Sequence, residues 1–138
     1  MDTLYDEGVV LGEDLRFTEA EGCDGLLELV QLDGLVYTRD GGVLETHKRL
    51  RVAYRRGTPY VSTAEYVYMA LWRARGRSQR LFRYDNSHGA VETLHRHSYD
   101  TEGNASGEEP IDPERMPYMD DVIRATAWLA GYLASRER

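Results

Sequence analysis

The chain has 138 residues, 41% hydrophobic and 30% charged, with a formal net charge of −7. That length suits one domain and is enough to bury a core without disulfide staples or a structural metal, and a single cysteine, Cys23, excludes an internal disulfide and fits a reducing compartment. No stretch approaches the roughly 18 apolar residues that span a bilayer, and Met1 to Glu7 lack the basic start and apolar run of a secretory signal, so a cytoplasmic protein without a membrane partner is expected.

Residues 1–25 are acidic, with only short apolar pieces such as Val9-Val10-Leu11; a loosely structured segment holding a short edge strand at best is expected. Residues 26–32 fit a strand or a short helix, and their leucines with the following Asp33-Gly34 favour a strand that ends in a turn. Val36-Tyr37-Thr38 then runs into Asp40-Gly41-Gly42, a hairpin signal because glycine accepts positive φ. From Val43 to Arg55 the second half alternates, with Leu50, Val52 and Tyr54 on one face and Arg49, Arg51 and Arg55 on the other, which is the pattern of a half-buried strand. Gly57-Thr58-Pro59 breaks it.

Residues 65–74 are apolar on both faces and rich in β-favouring side chains, so they predict a central strand, with a helix as the alternative because of Met69, Ala70 and Leu71. Gly76-Arg77-Ser78 predicts a turn, Gln79 to Asp85 a strand, and Val91 to Tyr99 a further strand after a loop with His88-Gly89. Residues 100–116 are expected to be loop. Over 117–135 the spacing of Met119, Val122, Ile123, Thr126, Ala130 and Leu133 predicts a helix with an apolar stripe. Pro117 suits its first turn, and Asp120, Asp121, Arg136 and Arg138 suit its dipole. The expected fold is a single α+β domain over 1–138. An antiparallel meander of about four to six strands, spanning 26–99, packs against the C-terminal helix.

Charge is unevenly distributed. Lys48 is the only lysine among 17 basic residues, and low lysine with high acid content is a composition associated with salt-loving organisms. From Lys48 to Arg83 there are ten basic residues and one acid, Glu65, so this segment carries +9 and the remainder −16. Tyrosines, Trp72 and Phe82 are interleaved with the arginines. Such a segment predicts an RNA-facing surface, with Arg49, Arg51, Arg55, Arg73, Arg75, Arg80 and Tyr84 as contacts. An arginine-rich sheet that pairs with the chain's own acidic ends, or with an acidic partner, reads the same segment without RNA.

His95-Arg96-His97 is the sharpest chemical feature. Residues two apart on a strand point the same way, about 7 Å apart along the backbone. Two imidazoles on one face suit an acid–base pair or a pair of metal ligands. Asp85 ends the preceding strand and His88 lies in the loop, so a hairpin brings all four side chains to one end. In metal-free RNA cleavage, His95 and His97 serve as base and acid, Asp85 orients one of them, and Arg83 or Arg96 stabilises the phosphorane. If a metal is bound instead, His95, His97 and Asp85 are its ligands. A third reading makes the cluster structural. No phosphate-binding glycine loop or cysteine cluster is present in the sequence, and no cofactor is expected.

Arg83-Tyr84-Asp85-Asn86, then Gly89, His95-Arg96-His97, Glu108-Glu109-Pro110 and a closing helix resemble the TumE family. These are small proteins encoded beside a helix-turn-helix partner and classed as toxins of toxin–antitoxin modules. The likeness runs from about residue 48 to the C-terminus and is loose over the first 45 residues. The loop between Asn86 and His95 is longer than the family pattern, and Tyr99 to Glu108 reads as an insertion. The resemblance implies a toxin-like role directed at RNA and a helix-turn-helix antitoxin as partner, with Tyr84, Asn86 and Gly89 as motif residues.

Overall fold

The computed structural model of the chain describes residues 2–86, 95–112, 115 and 117–137. The expected α+β architecture is present, with more strands than expected. One antiparallel seven-stranded sheet runs in sequence order, and a C-terminal helix packs on it. A short helix α1 (Asp2–Asp6) leads into β1 (Val10–Glu21), β2 (Leu27–Thr38), β3 (Gly42–Arg55), β4 (Thr58–Ala74), β5 (Arg77–Asp85), β6 (His95–Tyr99) and β7 (Ala105–Pro110). Helix α2 (Met119–Arg136) closes the fold.

Local chemistry explains most of the boundaries. A 3-10 turn at Arg39–Gly41 joins β2 to β3, with Asp40 and Gly41 both at positive φ, as the Asp-Gly signal predicts. Arg56-Gly57 and Arg75-Gly76 make the next two turns, again with positive φ at both residues. The strands therefore resume at Thr58 and Arg77, sooner than the glycine-centred breaks predict. The central strand at 65–74 lies within the 17-residue β4, where Tyr66, Tyr68, Ala70 and Trp72 are buried. The α2 stripe buries Val122, Ile123, Thr126, Ala127 and Ala130. Pro117 lies just before the helix rather than in its first turn, because Tyr118 is the N-cap. Arg138 lies outside the described residues.

Three expectations are overturned. The acidic N-terminal segment forms a 12-residue strand paired along its length with β2. It is an edge strand exposed on both faces beyond Val10 except for Gly12 and Leu15, so little apolar alternation exists to be read. Asp33-Gly34 does not end β2. Gly34, at φ 145°, lies within the strand where a Cβ would collide with the Asp14 carbonyl oxygen of β1, so the glycine serves close backbone approach. Finally, the loop expected over 100–116 contains β7, exposed at all six positions, whose Pro110 is tolerated because the strand is an edge. The strand expected from Val91 is described from His95 onward; residues 91–94 lie outside the described residues.

The register divides the sheet into two faces. Val36, Leu44, Ala70, Phe82 and Ser98 form one row on the face beneath α2. Leu4, Tyr66, Tyr68, Val122 and Ile123 complete the core there. Helix α2 packs on β2, β3, β4 and the 3-10 turn. Among the described residues, past Asp85, which pairs with Val67, only β1 to β4 continue as a four-stranded extension.

Candidate active site

The β5–β6 register assembles the site. Asp85 pairs with His95 and Arg83 with His97, so four side chains meet on the face opposite α2. The imidazoles of His95 and His97 stand edge to face with centroids 4.6 Å apart. Arg83 Nη2 lies 2.6 Å from Asp85 Oδ2, giving the 1% exposed carboxylate a cation. The β6–β7 register then adds a residue the sequence did not mark as chemical. Glu108 pairs with His97, and its carboxylate lies 3.7 Å from His95 Nε2 and 4.0 Å from His97 Nδ1. His95 is buried and His97 half-buried, so His97 is the imidazole more open to a ligand.

Ligand atoms of Asp85, His95 and His97 all lie within 4.8 Å of one another. Two imidazoles and a carboxylate are a donor set for zinc or a related divalent ion, with bonds of about 2.0–2.2 Å. The guanidinium of Arg83 opposes that use, because it already neutralises the carboxylate.

Other expected residues are placed elsewhere. Arg96 points to the α2 side of the sheet, with its guanidinium carbon 5.2 Å from the Phe82 ring centre and 5.8 Å from that of Tyr84. It therefore does not reach a phosphate held by His95 and His97. Tyr84 lies on the same helix side, edge-on to Phe82 at 5.7 Å, and is a packing residue. Asn86 is a clamp: its Oδ1 accepts from the Tyr66 backbone N–H at 2.7 Å, and its own N–H donates to the Tyr66 carbonyl. His88 and Gly89 lie outside the described residues. Burial, with Tyr68, Tyr84 and Asp85 nearby, raises the Tyr66 pKa, so that hydroxyl stays neutral.

The arginines separate into two groups. By strand alternation Arg49, Arg51 and Arg55 lie on the site face of the extension, a basic track leading toward His95 and His97. Arg73, Arg75 and Arg80 lie at the opposite end of β4 and β5. There Arg75 Nε is 3.9 Å from Glu137, and Arg80 stacks on Tyr99 at 4.6 Å and donates to the Gly103 carbonyl.

A second polar cluster shares the site's row. Cα partners run Asp33, His47, Val67, Asp85, His95 across the sheet. At strand spacing of about 4.8 Å, His47 and Asp85 are roughly 10 Å apart. Asp33 Oδ1 meets His47 Nδ1 at 2.5 Å, and Gln31 Nε2 donates to Asp33 Oδ2 at 2.6 Å. Those two bonds, His47 first, hold the Asp33 carboxyl below its usual range. Glu65 lies 3.5 Å from His47 Nε2 and 3.6 Å from Arg49 Nη1. In the sequence His47 is the histidine remote from the other three, and only the three-strand register reveals its position.

Comparison of the chain with protein-family models, with curated proteins and with solved structures finds no match in any of the three. Among the described residues, no helix is long and apolar enough to cross a membrane.

Proposed function

We propose that this chain is the toxin-like component of a toxin–antitoxin pair, a metal-independent ribonuclease of the cytoplasm restrained by a helix-turn-helix partner. The observation that carries the reading is the convergence of His95, His97, Asp85 and Arg83 on one sheet face, at the end of the track formed by Arg49, Arg51 and Arg55. The motif order shared with TumE proteins supports the same reading.

In this mechanism one imidazole takes the proton of a ribose 2′-hydroxyl as its oxygen attacks the adjacent phosphorus. The P–O5′ bond breaks, the other imidazole protonates the departing 5′-oxygen, and a 2′,3′-cyclic phosphate is left. Arg83 supplies the positive charge beside the phosphorane, and Arg96 has no part because it faces away. Glu108 lies within 4.0 Å of both imidazoles, and Asp85 fixes Arg83.

The test is cleavage of single-stranded RNA by the purified chain in excess EDTA, together with growth arrest on expression. The expected products end in a cyclic phosphate, and both activities are lost in His95→Ala and His97→Ala proteins. Variants that still cleave and still arrest growth sink the mechanism. A second reading rests on the 4.8 Å clustering of Asp85, His95 and His97, which makes the site a metal centre. Stoichiometric zinc, nickel or manganese in untagged protein, with activity abolished by EDTA, decides for it. A third, non-catalytic reading keeps only the arginine track; it predicts that charge reversal at Arg49, Arg51 and Arg55 removes binding while the histidine variants behave normally.

A further inference from the structure

Proton transfer at His95 and His97 fixes where a phosphate lies, and the base attached to that nucleotide must also rest on the site face. The register supplies a place for it. Cα partners run Leu35, Glu45, Met69, Arg83, His97, Glu108 across the sheet, one row further from the arginine track than Asp85 and His95. Residues in one row share a face, so Glu45 stands on the site face two strands from Arg83, roughly 10 Å at ordinary strand spacing.

The strand between them is apolar on this face. Alternation along β4 places Val67, Met69 and Leu71 there, with Met69 half-buried between Glu45 and Arg83. A flat ring fits over such a strip, and the Met69 sulfur favours aromatic contact. Glu45 is exposed, its partners Leu35 and Met69 are apolar, and it makes no ion pair among the described residues. Glu108 and Glu65, also on this face, are instead engaged with histidines.

The chemistry of a carboxylate selects the base. A carboxylate only accepts hydrogen bonds, and its two oxygens are best matched by two adjacent donors. Guanine presents that pair, N1–H and N2–H2, on its Watson–Crick edge. Adenine and cytosine set an amino group beside a ring acceptor, and uracil sets one N–H between two carbonyls, so each turns a lone pair toward the carboxylate. A guanosine 3′-phosphate spans a distance comparable to that between Arg83 and Glu45.

We propose, on the ribonuclease reading above, that Glu45 reads guanine in the nucleotide that carries the attacking 2′-hydroxyl. The base lies over Met69, its N1–H and N2–H2 donate to Glu45, and its 3′-phosphate meets Arg83 and the two histidines. The chain then cleaves on the 3′ side of guanosine.

Two measurements on the full chain test this: equilibrium binding of the 3′-monophosphates of guanosine, inosine, adenosine, cytidine and uridine, and end-mapping of mixed-sequence single-stranded RNA cleaved in EDTA. Wild type is expected to bind the guanosine compound about 10–100-fold more tightly than those of adenosine, cytidine and uridine. Its cleavage products are expected to end in guanosine 2′,3′-cyclic phosphate. Inosine, which lacks the N2 amino group, is expected to fall between. Glu45→Gln and Glu45→Ala, at an exposed position, are expected to keep the wild-type circular dichroism and uridine affinity, and to bind the guanosine and inosine compounds equally. A merely structural role lowers all five affinities together. A wild type without guanosine preference, or a preference that survives both substitutions, overturns the proposal. A guanosine preference that needs Glu45, in a chain that cleaves no RNA, upholds the base subsite and overturns the ribonuclease reading; cleavage without base preference does the reverse.

Discussion

Two aspartate–histidine pairs lie on one row of the sheet, separated by Val67, and they differ in surroundings rather than residue type. Asp33 and His47 make a direct 2.5 Å contact, yet their side chains are 42% and 33% exposed and the neighbouring charges balance. Asp85 and His95 are buried, with Arg83 on the carboxylate and a second imidazole 4.6 Å away. A short Asp–His bond is therefore a poor marker of a site here. Burial and a second imidazole distinguish the pair suited to moving two protons, because a dry environment strengthens every charge interaction in it.

The largest expected contrast is catalytic. Removing either His95 or His97 is expected to lower RNA cleavage by about 10²–10⁴-fold, while His47→Ala leaves the rate within a few-fold of wild type. Equal losses at all three positions erase the distinction between the pairs.

Next in size is stability. Asp85→Ala leaves Arg83 without its partner and is expected to cost about 2–4 kcal/mol, less than a fully buried pair because Arg83 is about a third exposed. Asp33→Ala is expected to cost under about 1 kcal/mol. Urea denaturation of the two variants measures both, and a larger loss at Asp33 reverses the comparison.

A smaller effect is the acid response of the exposed pair. The Asp33 pKa is lowered in the folded state, chiefly by His47 and then by Gln31. Its contribution is thus present above the ordinary carboxylate range and is lost as pH falls through the lowered value. Wild type and Asp33→Asn are expected to differ near neutrality and converge in acid; a difference that persists to the lowest pH contradicts this. The smallest effect belongs to Tyr66, whose buried hydroxyl has no hydrogen-bond partner among the described residues. Tyr66→Phe is expected to be neutral or slightly stabilising in the same denaturation assay, and a loss above about 1 kcal/mol points to a partner for that hydroxyl.

Much of the site was legible in alternation alone. His95 and His97 were expected on one face, and they share it; the same rule turns Arg96 and Tyr84 to the other face, an implication not drawn from the sequence. What alternation cannot supply is register between strands. Glu108 reaches the histidines only because β7 pairs with β6, and His47 joins the row only through β4 and β5. The helix and the central strand were readable because each has a buried face, whereas β1 and β7 are largely solvated edges without a clear pattern.

The central claim is that proton transfer by His95 and His97 is the chemistry of this face. The most direct measurement is the pH–rate profile of RNA cleavage in EDTA for wild type, His95→Ala, His97→Ala and His47→Ala. The account predicts a bell for wild type and for His47→Ala, with one limb missing in each of the other two. A wild-type bell that survives intact in both the His95→Ala and His97→Ala proteins contradicts it.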